Sequence, residues 1–130
     1  MSDRILVDTC GWIEFAADGP LAETFAPYFH DLSLIVVPTV VQFEFFKWIK
    51  RERDEPFALE LIGLTENACV VPLSTSIALL AADLASQHRL AMADAIIYAT
   101  ARQEDVLLAS CDQHFSGLPG VRYVEKGANA

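Results

Sequence analysis

Four acidic residues stand where an acid is costly. In LAMADAIIYATA, residues 90–101, Asp94 is the one carboxylate in a helical run of apolar and small residues. In VVQFEFFKWI, Glu44 has Phe43 and Phe45 on either side and Val40 and Trp48 one helical turn away, so a charge there is expected to be buried on almost any rotation. Asp8 directly follows the apolar run ILV, and Asp112 follows VLLAS with one residue between. A buried charge is expensive unless it is paired or bound to a metal, and no single Arg or Lys offers itself as the partner of Glu44. Two carboxylates about 5 Å apart repel by on the order of 3 kcal/mol at an effective dielectric of about 20. Several such pairs would offset much of the roughly 5–15 kcal/mol that stabilises a domain. Clustered, these acids must take up protons or bind a cation. Oxygen ligands with no His suit Mg²⁺ or Mn²⁺, hard ions that keep waters and favour phosphate substrates. Such an ion acidifies a bound water, orients it for in-line attack on a phosphodiester and stabilises the leaving oxygen.

Convergence of four segments requires a fold that delivers them to one rim. Four continuous apolar runs read as strands buried on both faces: Ile5–Val7, Leu34–Val37, Val70–Leu73 and Val106–Ala109. A fifth, Val121–Val124, reads as an edge. Helical segments fall between them at Val40–Arg53 (closed by Pro56), Phe57–Glu66, Thr75–His88 and Met92–Glu104. A shorter pair, Trp12–Ala17 and Leu21–Phe29, is broken by Gly19-Pro20. Strand alternating with helix predicts an α/β fold, a three-layer α/β/α sandwich with a mostly parallel central sheet of four to five strands. One domain over residues 1–130 is expected, with 126–130 a frayed tail. In open sheets of this kind function gathers beyond the carboxyl ends of the strands, which is where Asp8 and Asp112 fall. Glu44 and Asp94 lie in the opening turns of their helices. Plainer roles are open to each acid: Asp8 and Asp112 as helix N-caps, Asp94 as the cap of Ala95–Gln103.

Composition narrows the class. No run approaches the roughly 20 apolar residues of a membrane-spanning helix, and MSDRILVDTC shows no secretory signal, so a cytoplasmic location is expected. The 53% hydrophobic content is high for a soluble chain and suggests a large core or a surface covered by partners. Three cysteines without a CxxC pair argue against a disulfide framework or a zinc ribbon. Cys69 reads as a core residue, while Cys10 and Cys111 each sit within two positions of an Asp. A net charge of −9 is awkward for a nucleic-acid binder. The basic residues cluster at Lys47–Arg53, which reads as a solvated helix end with a secondary role in steering phosphate. His114 reads as a turn or core histidine, Trp12 and Trp48 as core or interface residues.

With these residues together, the chain resembles PIN-domain ribonucleases, specifically the VapC-type toxins of type II toxin–antitoxin systems. The likeness runs through VDTCGWI, VPTVVQFEFFKWI, LAMADAIIYATA and LLASCDQHFSGLPGVRYV, in that order and at that length. It implies that Asp8, Glu44, Asp94 and Asp112 form the catalytic and metal-binding quartet, with Thr9 and Ser110 supporting them. Ser110-Cys111-Asp112 matches the family's Thr/Ser-x-Asp element. It further implies Mg²⁺- or Mn²⁺-dependent endonucleolytic cleavage of RNA, tRNA or another structured RNA, along with a small antitoxin partner and a homodimer. Positions 10 and 111 are Cys where relatives more often carry Ser or Asn and another polar residue, which leaves the acids in a less polar setting. Two other classes compete: a non-catalytic binding or regulatory module on the same fold, which would gain nothing from clustered acids, and a phosphatase of the same layered class, which lacks its DxDxT-like block after the first strand.

Overall fold

The structure, a computed structural model, describes residues 3–126; of the expected tail, residues 127–130 lie outside them. Strand β1 (Ile5–Val7) is buried at all three positions. Successive strand side chains point to opposite faces, so layers must cover the sheet on both sides. The strand is followed by α1 (Thr9–Ala17) and the short α2 (Ala22–Phe25), whose chain continues as a 3₁₀ turn to His30. Next come β2 (Ile35–Pro38), α3 (Thr39–Glu52), α4 (Glu55–Thr65) and β3 (Cys69–Val71). The chain then forms α5 (Thr75–His88), α6 (Met92–Gln103), β4 (Leu107–Ser110) and β5 (Val121–Tyr123).

All pairings are parallel and the strand order is β3-β2-β1-β4-β5. The predicted α/β layering and five-stranded sheet are therefore present. Ile5 faces Ile35 on one side and Leu107 on the other, which puts β1 at the centre. The chain winds outward through β2 and β3, then crosses to the other flank of β1 at β4. That reversal opens a crevice at the carboxyl ends of β1 and β4, the place where such sheets bind ligands.

Several details differ from the sequence expectation. β3 is an edge strand and only half buried, so Cys69 is not a core residue; its sulfur accepts a long contact from Arg4 at 3.5 Å. Leu107 at the start of β4 is exposed. Pro56 does not close α3, which ends at Glu52; it sits in the first turn of α4, where its missing N–H costs nothing. The run from Val40 is not apolar all round. Val41, Phe45 and Ile49 form the buried stripe, whereas Phe43 is 62% exposed.

Trp12 anchors the core under α1, edge-on to Phe29 at 4.9 Å and tilted against Phe45 at 5.6 Å. Gly11 lets α1 approach this closely. A Cβ there would fall 2.5 Å from Val7 Cγ1 and 2.8 Å from Phe25, distances that only a shift of the helix could relieve. The start of α1, and with it Asp8 and Thr9, is thereby pinned to the sheet.

Candidate active site

Asp8 leaves β1 at its carboxyl end and caps α1, its Oδ1 accepting the Thr9 N–H at 2.8 Å. Its Oδ2 accepts the Ser110 hydroxyl at 2.7 Å. Ser110 is the last residue of β4 and wholly buried; its Oγ also accepts the Asp112 N–H at 2.9 Å. One hydroxyl thus links the acids that two neighbouring strands deliver. Asp112 in turn caps the 3₁₀ turn Gln113–Phe115 by accepting the His114 N–H at 3.0 Å. Asp8 and Asp112 therefore do act as caps, and the capping geometry fixes where their remaining lone pairs point. Asp94 caps nothing: it lies in the first turn of α6, and Ala91 is the residue at the cap.

Glu44 comes from α3. Its Oε1 accepts the Thr9 hydroxyl at 2.7 Å, so Thr9 steadies Asp8 through its backbone and Glu44 through its side chain. Glu44 is half buried rather than enclosed. Asp8, Glu44, Asp94 and Asp112 all line one cleft of about 310 Å³, together with Lys47, Trp48 and Arg51. Those three residues lie three, four and seven positions after Glu44, a helical face readable from spacing alone. The basic run is a solvated helix end, as its sequence suggests, and it also borders the acids.

His114 is an exposed turn residue, one of the two plain roles its sequence suggests, and it stands beside the acids. Its Nδ1 lies 3.2 Å from Asp94 Oδ2 and 3.2 Å from Asp112 Oδ1. Asp94, Asp112 and His114 present ligand atoms all within 4.8 Å of one another. The clue was its place two residues after Asp112, inside the same turn. Among the described residues, the ion pairs found at the four acids are to His114.

Burial pushes the Asp8 carboxyl up to about 7, against the lowering effect of the bonds from Ser110 and Thr9, and the charges of Asp112 and Asp94 add to the rise. Asp94 is also raised, by burial and then by the Asp112 charge, with His114 opposing. Acids held at such cost and gathered on one cleft fit a divalent cation. Beside them, the Cys10 thiol is pushed up by its hydrogen bond with Cys111 and then by burial, whereas Cys111 is lowered by that same bond.

The PIN domain family model matches residues 5–121. The chain belongs to the PIN domain family. Among curated proteins none shows significant sequence similarity to it. Solved structures share the fold. A toxin–antitoxin complex from Klebsiella pneumoniae aligns with a TM-score of 0.79 at 22% identity, covering 93% of this chain and 98% of its counterpart. VapC20 of Mycobacterium tuberculosis, a Sarcin-Ricin loop cleaving toxin, aligns at 0.75 and 19% identity, covering 93% and 97%. VapBC2 of Rickettsia felis, bound to a DNA fragment from its promoter, aligns at 0.73 and 12% identity over 93% and 97%. This PIN domain therefore shares the fold of these solved structures. Among its described residues no helix is long and apolar enough to cross a membrane.

Proposed function

We propose that this PIN domain is a Mg²⁺- or Mn²⁺-dependent endoribonuclease that serves in the cytoplasm as the toxin of a toxin–antitoxin pair. The carrying observation is the convergence of Asp8, Glu44, Asp94 and Asp112 on one cleft. Asp8, Asp94 and Asp112 would hold the ion, with Glu44 contributing directly or through water. Bound there, such an ion would supply charge neutralisation and would lower the pKa of a water for attack on phosphorus. No protein nucleophile is required.

The chain supplies the positioning. Ser110 and the Thr9 N–H hold the Asp8 carboxylate, and the Thr9 hydroxyl occupies Oε1 of Glu44. Glu44 keeps Oε2 for a ligand water or a proton. Lys47 and Arg51, on the same cleft, can take the phosphates flanking the scissile bond, and Phe43 beside them offers a ring for a base. This local basic edge answers the objection of net charge −9, because the substrate meets the cleft rather than the average surface.

Partners follow from surface and likeness. Leu59, Leu73, Leu79 and Met92 are large, apolar and exposed, which suits a protein covered by an antitoxin and a second copy of itself. The Klebsiella pneumoniae relative is a toxin–antitoxin complex. Structured RNA, tRNA or another, is the proposed substrate class; VapC20 is itself a Sarcin-Ricin loop cleaving toxin.

The test is cleavage of RNA by the purified protein with Mg²⁺ or Mn²⁺, its loss with EDTA, and its loss in Asp8→Asn at unchanged fold. Full activity in that variant rejects the assignment. Co-expression with a neighbouring small open reading frame should give a stable, inactive complex; indifference to that neighbour rejects the toxin role while leaving the nuclease intact.

A further inference from the structure

We infer that Cys10 and Cys111 form a modification site, a thiol pair that closes to a reversible disulfide beside the acidic cleft and weakens it. The pair belongs to no step of the proposed reaction. Cys10 lies in the first turn of α1 and Cys111 directly follows β4, each just beyond the carboxyl end of one of the paired parallel strands β1 and β4. The Cys111 N–H donates to Cys10 Sγ at 3.0 Å. That nitrogen is two bonds from the Cβ carrying the second sulfur, so the two side chains are neighbours and rotation about the Cys111 Cα–Cβ bond sets the remaining gap. All three cysteines are free.

A shared cavity and isolation support the pairing, Cys10 being half-buried and Cys111 buried. A cavity of about 440 Å³ is lined by both cysteines, with Tyr123 and Lys126 among its other walls. Cys10 also lines the acidic cleft. The third cysteine, Cys69, lies on the far edge strand β3, with β2 and β1 between it and β4. The odd thiol therefore does not compete.

The consequence for the cleft, which rests on the proposed function, comes from what Cys10 touches. Its Sγ lies 3.6 Å from Asp8 Oδ2 and 3.6 Å from Ser110 Oγ. Closing the bond removes the thiol hydrogen from Asp8 and draws the sulfur toward the segment that carries Ser110 and Asp112. Hydrogen peroxide is the class of oxidant. Its O–O bond breaks, the S–S bond forms, the thiols are oxidised by two electrons, and their hydrogens leave in two waters. A dithiol reductant reverses the step, as befits transient disulfides in a reducing compartment.

The experiment uses the full chain carrying Cys69→Ser, treated with hydrogen peroxide and digested without reductant. The expected result is a linked peptide pair containing Cys10 and Cys111, lighter by two hydrogens than the separate peptides and released by dithiothreitol. Cys10→Ser abolishes the link. Mn²⁺ affinity, read by calorimetry, should fall about 10- to 100-fold on oxidation, recover on reduction, and not change with peroxide in the Cys10→Ser variant. Oxidation only to single sulfinic acids, or only links between chains, overturns the site. A linked protein with unchanged Mn²⁺ affinity overturns its control of the cleft. The mass measurement needs neither RNA nor metal, so it fails or succeeds separately from the nuclease reading.

Discussion

The Ser110 hydroxyl donates to Asp8 Oδ2 at 2.7 Å across 102 residues of sequence, so the acid presented by β1 is oriented by the end of β4. Because Ser110 Oγ also accepts the Asp112 N–H, a single buried atom sets the relative placement of two proposed metal ligands. Ser110→Ala leaves both partners without that buried atom. The expected cost is about 1–3 kcal/mol of stability and about 10- to 100-fold in Mn²⁺ affinity. Urea denaturation and calorimetry measure the two effects; undiminished affinity would show that Ser110 does not orient the proposed ligands.

The raised Asp8 predicts a pH dependence of the metal-free protein with a definite sign. Its carboxyl titrates at about 7 in the fold, against 3.8 for an ordinary aspartate. Between those values the native state keeps a proton that the unfolded chain has released, so unfolding free energy falls as pH rises through this window. The stabilisation is complete below the unfolded value and lost above the folded one. At about 1.4 kcal/mol per pKa unit, the loss should reach a few kcal/mol between pH 4 and neutrality. Saturating Mn²⁺ reverses the trend, since it binds the ionised carboxylate. Asp8→Asn should remove this acid's contribution to the slope in EDTA; an undiminished slope in that variant assigns it to other groups.

His114 yields a prediction about ligand identity. Its Nδ1 stands 3.2 Å from one oxygen each of Asp94 and Asp112, beside the carboxylates proposed to hold the ion. A hard ion is served by oxygen donors, and three aspartates provide them. His114→Ala should therefore leave Mg²⁺ affinity within about threefold, a change smaller than the tenfold or more expected when a ligand's support is lost. A collapse beyond tenfold would make the imidazole a ligand, and the preference for Mg²⁺ over softer ions would then have to be measured again.

Fold and site were legible to different depths. Continuous apolar runs such as Ile5–Val7 marked parallel strands because a sheet covered on both faces leaves no polar side. Val70–Val71 carries the same signature yet lies at an edge, because strand order depends on crossovers that residue type does not encode. Asp8 and Asp112 were visible as acids ending strands, and Asp94 as a charge in an apolar helix. Glu44 was found for an incomplete reason: its helix exposes Phe43, so the acid is half buried, and Thr9 holds it. The roles of His114 and the Cys10–Cys111 contact depend on backbone turns at two strand ends, distances that no spacing rule supplies.

Lys47 and Arg51 should carry substrate binding rather than chemistry. Both line the acidic cleft from α3, and Lys47 also lies 5.8 Å above the exposed Phe43 ring. Neither is among the residues assigned to the metal or to proton movement. Lys47→Ala and Arg51→Ala should each raise KM for RNA while leaving kcat nearly unchanged, the signature of uniform binding. Each should also reduce the salt slope of binding by about one, as loss of a single phosphate contact does. That slope is best measured in the Asp8→Asn background, where the RNA stays intact. Phe43→Ala should weaken single-stranded RNA by about 1–3 kcal/mol with the salt slope preserved, because stacking displaces no counterions. Unchanged KM in all three variants would move the RNA path off α3 and leave this face of the helix to the antitoxin.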